Sequence, residues 1–242
     1  MFNIGYVVLV LRNCLSSIGS ESIGREQWTF FLGFLADFLT CCEECTLCTL
    51  RVVCMDTFKV FLSKFEPVAQ VLIIRKLFTM ISKGEIQLKF EPQLLAWLID
   101  LFRSKLNYEA FRRELGFFWG DLVSIRYSCL SDGLQYYLSV FILAQELALR
   151  KMNAELLLNI YESFLQPLQS QIADWTTLVE AQERHVSRES LEVSAAQLAD
   201  NMKRLEMETR RQQDSQSLPL LQFQYSQTLN FVTTFLRTMR ML

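Results

Sequence analysis

The chain has 242 residues, of which 51% are hydrophobic, and 24 basic and 26 acidic residues give a net charge of −2. This length and hydrophobic content are enough for a buried core and exclude disorder of the whole chain. The balanced charge lacks the overall basic excess that is typical of proteins held to nucleic acid through phosphate contacts. With only eight glycines and four prolines, the chain has too few turn signals for a β-sandwich or barrel, so we predict an all-α fold.

We expect about nine to eleven helices, in an irregular helical stack or a helical-repeat solenoid of the armadillo or HEAT kind. Residues 1–151 are predicted to form an apolar helical core region. Residues 152–242 are predicted to form amphipathic C-terminal helices that pack on the first region as one domain. No segment has the roughly 20 consecutive apolar residues of a membrane span.

The chain begins with the apolar stretch MFNIGYVVLVLR. This stretch lacks the basic region and small-residue cleavage site of a signal peptide. We interpret it as a first buried helix or as the edge of a longer helical protein. The next segment, GSESIGRE, has the glycine spacing of a phosphate-binding loop, but Arg25 and Glu26 stand where lysine and a hydroxyl residue are needed. It is predicted to be a turn before a helix that begins near Glu26.

The segment CCEECTLC, residues 41–48, holds four of the seven cysteines. On one helix over residues 26–64, a single face would carry Phe34, Phe38, Cys41, Cys45, Cys48, Val52 and Met55. Because a free cysteine packs like a small hydrophobic residue, we predict that these thiols fill the core. Three alternatives are an iron–sulfur cluster on the C-x3-C-x2-C spacing, a zinc site of Cys42, Cys45, Cys48 and Cys54, and a redox switch.

A repeated Lys-Phe-Glu-Pro signature ends at Pro67 and again at Pro92. Proline is favoured in the first turn of a helix, so a helix is predicted to begin at each position. The first helix is expected to end before Gly84. The predicted core faces are Val71, Ile74, Phe78 and Ile81 in the first helix, and Leu95, Leu98, Phe102 and Leu106 in the second.

The segment from Asn107 is predicted to be a helix, interrupted near Gly116 or Gly120, and Ser131–Gly133 is predicted to be a turn. Residues 134–151 are apolar on nearly every side, so we expect this helix to lie at the centre of the fold.

The last third of the chain is predicted to contain three helices. Asn153 is expected to cap the first, which Pro167 breaks or kinks. Ser187 is expected to cap the second, and residues 210–217 to link it to a final helix that starts near Pro219.

The residues that carry chemistry are sparse. His185 is the only histidine, and the chain has no nucleophile-elbow motif. We therefore predict no enzyme activity and no cofactor. The leading interpretation is a helical scaffold or adaptor that binds other proteins in a heteromeric complex in the cytoplasm or nucleus.

We expect partner contacts on a narrow apolar seam and the basic residues beside it. These residues are Leu191, Leu198, Met202, Leu205, Lys203, Arg204, Arg210 and Arg211. One alternative is a nucleic-acid-associated helical module of a genome- or RNA-maintenance complex, which would use the basic residues of this set. The other is a metal-dependent enzyme built on the cysteine cluster.

Overall fold

The computed structural model describes residues 4–45, 47–189 and 198–241, and within these ranges the secondary structure is helical. This confirms the predicted all-α fold class. Contacts divide the chain into two compact units, Met1–Asp121 and Leu122–Leu242. The predicted division near residue 151, with both regions packed as one domain, stays a prediction.

The first unit contains α1 (Ile4–Ser16), α2 (Trp28–Glu44), α3 (Cys48–Leu62), α4 (Pro67–Ser82), α5 (Glu91–Ser104) and most of α6 (Glu109–Val123). The second contains α7 (Leu130–Leu149), α8 (Ala154–Ile160), α9 (Gln166–Glu189) and α10 (Leu198–Thr238). A 3-10 turn, Arg25–Gln27, leads into α2, and a π-turn, Tyr161–Leu165, joins α8 to α9 as one continuous helix. In the described ranges these elements amount to nine helices.

The two Glu-Pro signatures begin helices as predicted. Proline occupies the first turn of both α4 and α5, and Gly84 follows α4 with a φ of 71°, in the left-handed region that favours glycine. All eight residues predicted to form the core faces of these helices are buried, none more than 1% exposed, although Leu106 lies beyond the end of α5 at Ser104. Local capping and periodicity therefore determined these two helices.

Aromatic side chains hold the core of the first unit together. Phe31 makes edge-to-face contacts with Phe61 and Phe65, from the end of α3 and the loop after it. Phe102 of α5 stacks on Phe118 of α6 with ring centroids 4.1 Å apart. Such pairs add to the free energy of burial, about 0.5–1.5 kcal/mol each.

The second unit is built around α7, which packs against α8 and α10. Tyr136, Tyr137 and Phe141 are fully buried on α7. The amide of Gln145 donates to Thr228 of α10 over 2.8 Å. The predicted burial of this helix on several sides is confirmed within this unit.

Several predicted boundaries were wrong. The segment Ser131–Gly133 lies inside the first turn of α7, and α6 runs without interruption through Gly116 and Gly120. The helix α9 continues through Ser187 to Glu189, and α10 continues through residues 210–217 and Pro219. A turn signal is local, and the packing of a long helix overrides it.

The π-turn shows how one helix accommodates Pro167. Proline has no N–H to donate to the carbonyl four residues earlier, which belongs to Ser163. Arg126 donates to that carbonyl oxygen over 3.4 Å, and its guanidinium lies 5.5 Å from the ring centroid of Phe164. The hydrogen-bond pattern thus changes locally before Pro167, but the helix does not end there. The predicted break at Pro167 is therefore absent. The cap by Asn153 is confirmed, because its side-chain oxygen accepts from the amides of Glu155 and Leu156.

Candidate functional site

The helix α1 is apolar but largely uncovered, which contradicts one of the two interpretations of this stretch, that of a first buried helix. Val8 and Leu15 are buried against the rest of the first unit, whereas Tyr6 is 67% and Leu9 57% exposed. The neighbour on which α1 packs is α3, and that contact covers one side of the helix. This packing leaves several apolar side chains of α1 exposed.

The predicted single helix over residues 26–64 is interrupted. Cys45 and Leu47 have extended backbone conformations, with ψ angles of 111° and 114°, so α2 ends at Glu44 and α3 begins at Cys48. The guanidinium of Arg51 donates to the Cys45 carbonyl oxygen over 2.8 Å and fastens the break. Because the helical phase restarts at α3, the predicted seven-residue stripe does not form.

The break changes which thiols are buried. Cys42, Cys45 and Cys54 are buried, while Cys41 and Cys48 are exposed. The prediction that the cluster fills the core is therefore correct for Cys42 and Cys45 and wrong for Cys41 and Cys48.

The three buried thiols form a compact group, with the sulfurs of Cys45 and Cys54 4.0 Å apart. Burial raises the pKa of Cys54 to about 11 and raises the pKa of Cys42 still further; neighbouring thiols add to both shifts. The zinc set considered from sequence is not assembled, because Cys48 is exposed and its three proposed partners are buried. In the described part of the chain, no group of three or more histidine, cysteine or acidic residues is arranged to hold a metal ion.

A groove of about 510 Å³ lies between α1 and α2. We call it the α1–α2 groove and define it by Tyr6, Val7, Val10, Phe34, Asp37 and Cys41. Its floor includes Phe38 and Val8, which are buried. Phe30, one turn before Phe34 on the same face of α2, is 84% exposed and extends the apolar wall.

The surface of the α1–α2 groove is almost entirely apolar. Asp37 is the only charged side chain among the described residues that line it. Partial desolvation raises the pKa of the exposed Cys41 thiol, and the nearby charges of Glu44 and Asp37 raise it further. The groove therefore combines an apolar surface with negative charge at the α2 wall.

The segment that imitates a phosphate loop is a structural turn, as predicted. The amide of Ile23 donates to the Lys64 carbonyl, and the amide of Glu66 donates to the Ile23 carbonyl, over 2.8 and 2.9 Å. These bonds tie the segment to the start of α4. Two of its backbone donors, the amides of Glu21 and Ile23, are thus used within the fold.

The surface predicted from sequence to bind a partner is not the groove. Leu191 lies outside the described residues. Arg210 is exposed on α10. The backbone at the other six predicted positions belongs to α10, but their side chains lie outside what the structure describes: Leu198, Met202, Lys203, Arg204, Leu205 and Arg211.

Sequence reasoning missed the groove residues on α1. The available signal was the apolar character of α1, for which burial was one of two interpretations. Over the described residues, no helix has both the length and the hydropathy needed to cross a membrane.

No protein-family model matches the chain, and no curated protein shows significant sequence similarity to it.

Proposed function

We propose that this chain is a non-enzymatic helical adaptor that binds another protein through the α1–α2 groove within a multiprotein complex. The observation that carries the proposal is the groove itself, an exposed apolar concavity with aromatic side chains on both walls. Large apolar patches with polar surroundings are typical of sites that bind other proteins. Aromatic residues are enriched in the cores of such interfaces.

The energetics favour an occupied groove. Phe34 is 45% exposed and Val7 49% exposed in the unoccupied state. Complete burial of a side chain of this kind stabilises a structure by about 1.5–3 kcal/mol. A partner that covered both walls would gain part of this free energy from each residue, which favours association.

The proposal also covers the architecture of the fold, a second partner surface and the cellular location. We favour an irregular helical stack over a repeat solenoid, because the described helices range from 13 to 41 residues in length. The seam and basic residues of α10 stay a predicted second partner surface, and residence in the cytoplasm or nucleus stays a prediction.

The experiment replaces the two groove walls together, with the double variant Val7→Asp and Phe34→Asp. The control is Val52→Asp and Phe223→Asp, which changes the same residue types at positions 60% and 57% exposed outside the groove. Both variants and the unaltered chain are affinity-purified from cells, and partners are quantified by mass spectrometry. The partner that is lost is then purified, and its binding is measured directly.

We expect the groove variant to lose that partner with at least a tenfold rise in Kd, because two buried charges oppose docking. The control variant should bind normally, and circular dichroism should show unchanged helicity in both. Equal partner recovery by the groove and control variants would refute the proposed function.

A further inference from the structure

We infer that the occupant of the α1–α2 groove is an amphipathic α-helix of another protein that places a lysine or arginine against Asp37. This inference rests on the proposed function and specifies the class of partner. Three features of the groove support this inference. They are the spacing of the side chains along each wall, the lack of free backbone groups in the walls, and the charge of Asp37.

The walls match the repeat of a helix. Phe30, Phe34, Asp37 and Cys41 are spaced four, three and four residues apart on α2, so they share one face over about 16 Å. Tyr6 and Val10 stand one turn apart on α1 and form the opposite wall. A groove of this length fits about three turns of a helix, with anchors at positions i, i+4 and i+7.

The backbone of the walls favours a helix over an extended peptide. Both walls are α-helices, whose interior N–H and C=O groups are bonded within the helix. An extended occupant would find no sheet edge to pair with, so its own backbone polar groups would be buried without partners, which is unfavourable. A helix satisfies these groups internally and presents only side chains.

The charge specifies the polar contact. An apolar occupant that covered Asp37 would take its carboxylate out of water without a compensating group, which is costly. Asp37 lies one turn before Cys41 and Glu44 one turn after it, and both charges raise the pKa of that thiol, so negative charge lies along this part of α2. A lysine or arginine in the occupant neutralises this charge and forms a charge-assisted hydrogen bond.

A second copy of this chain fits less well. A symmetric contact would use the same patch twice and bring two Asp37 carboxylates into one interface. The cation on α1, Arg12, is two residues from Val10 and therefore points to nearly the opposite side of the helix. The groove-facing side of α1 therefore supplies no positive charge to Asp37 of another copy.

The test uses a displayed library of helical peptides with apolar residues fixed at i, i+4 and i+7 and all other positions randomised. The baits are the unaltered chain, Asp37→Arg, and the control Asp174→Arg, which changes an exposed aspartate on α9 in the other unit. We expect the unaltered chain and the control to enrich lysine or arginine at the same one of the randomised positions. The Asp37→Arg bait should enrich aspartate or glutamate there.

A selected peptide should lose at least tenfold in affinity for Asp37→Arg, and exchange of its basic residue for glutamate should restore binding. Enrichment without a charge preference, or the same preference with the Asp37→Arg bait as with the unaltered chain, would overturn the inference. A dimer in sedimentation velocity that Phe34→Asp dissociates would also overturn it, because the occupant would then be a second copy. If basic peptides bind but the cellular complex survives the groove variant, only the proposed function fails.

Discussion

At the scale of single residues, Gly133 shows a packing role that resembles a turn signal in the sequence. A Cβ atom at this position would lie 2.6–2.8 Å from three atoms of Tyr127, closer than such atoms approach. Tyr127 cannot easily move away, because its amide donates to the Tyr137 hydroxyl and its carbonyl accepts from Gln171, over 3.2 and 2.9 Å. Glycine is therefore required here by the close approach of a neighbouring side chain.

We predict that Gly133→Ala lowers the free energy of unfolding by about 1–3 kcal/mol, the usual cost of overpacking. The matched control is Gly116→Ala on α6, where no atom lies within 4 Å of the added Cβ. That exposed mid-helix change should instead raise stability by about 0.5–1 kcal/mol. Urea denaturation measures both values, and the same sign for the two variants would contradict the explanation.

At the scale of elements, the π-turn is held from two directions. Arg126, in the loop after α6, donates to the Ser163 carbonyl oxygen. The hydroxyl of Tyr225 on α10 donates to the Leu165 carbonyl oxygen over 3.1 Å. Tyr225 is buried, so this bond lies away from water and fixes the register between α10 and the π-turn. An unusual helical segment is thereby built into the packing of the second unit.

We predict that Tyr225→Phe destabilises the protein by about 1 kcal/mol, because it removes a buried hydrogen bond and keeps the ring. The control is Tyr108→Phe, at a tyrosine 39% exposed in the first unit, which should change stability little. Chemical denaturation gives the two free energies, and amide exchange around Leu165 reports the local effect. Equal stability of Tyr225→Phe and the unaltered chain would show that the bond does not fix this register.

At the scale of the whole molecule, both units keep protons that an unfolded chain would release at high pH. Burial raises the pKa of Cys54 to about 11 from an ordinary 9.0, and burial also raises the pKa values of Tyr136 and Tyr225. Between pH 9 and 11 the unfolded chain therefore binds fewer protons than the folded chain. Under this linkage, stability falls as the pH rises.

We predict that the stabilisation from the buried thiols is complete below about pH 9 and is lost progressively toward pH 11. The measurement is urea denaturation across this range with a reducing agent present. Cys54→Ala should show a shallower decline, because it removes one of the shifted groups. A free energy of unfolding that is constant up to pH 11 would rule out this origin.

The sequence by itself determined the all-α fold, the starts of α4 and α5, the cap at Asn153 and the buried faces of α4 and α5. These features depend on residues within one or two turns of each other, through capping, proline geometry and helical periodicity. Only the tertiary structure decided that α1 is exposed, that Cys42 and Cys54 are buried in place of Cys41 and Cys48, and that Gly133 lies under Tyr127. Burial depends on which distant element packs against a residue, and no local pattern in one segment contains that information.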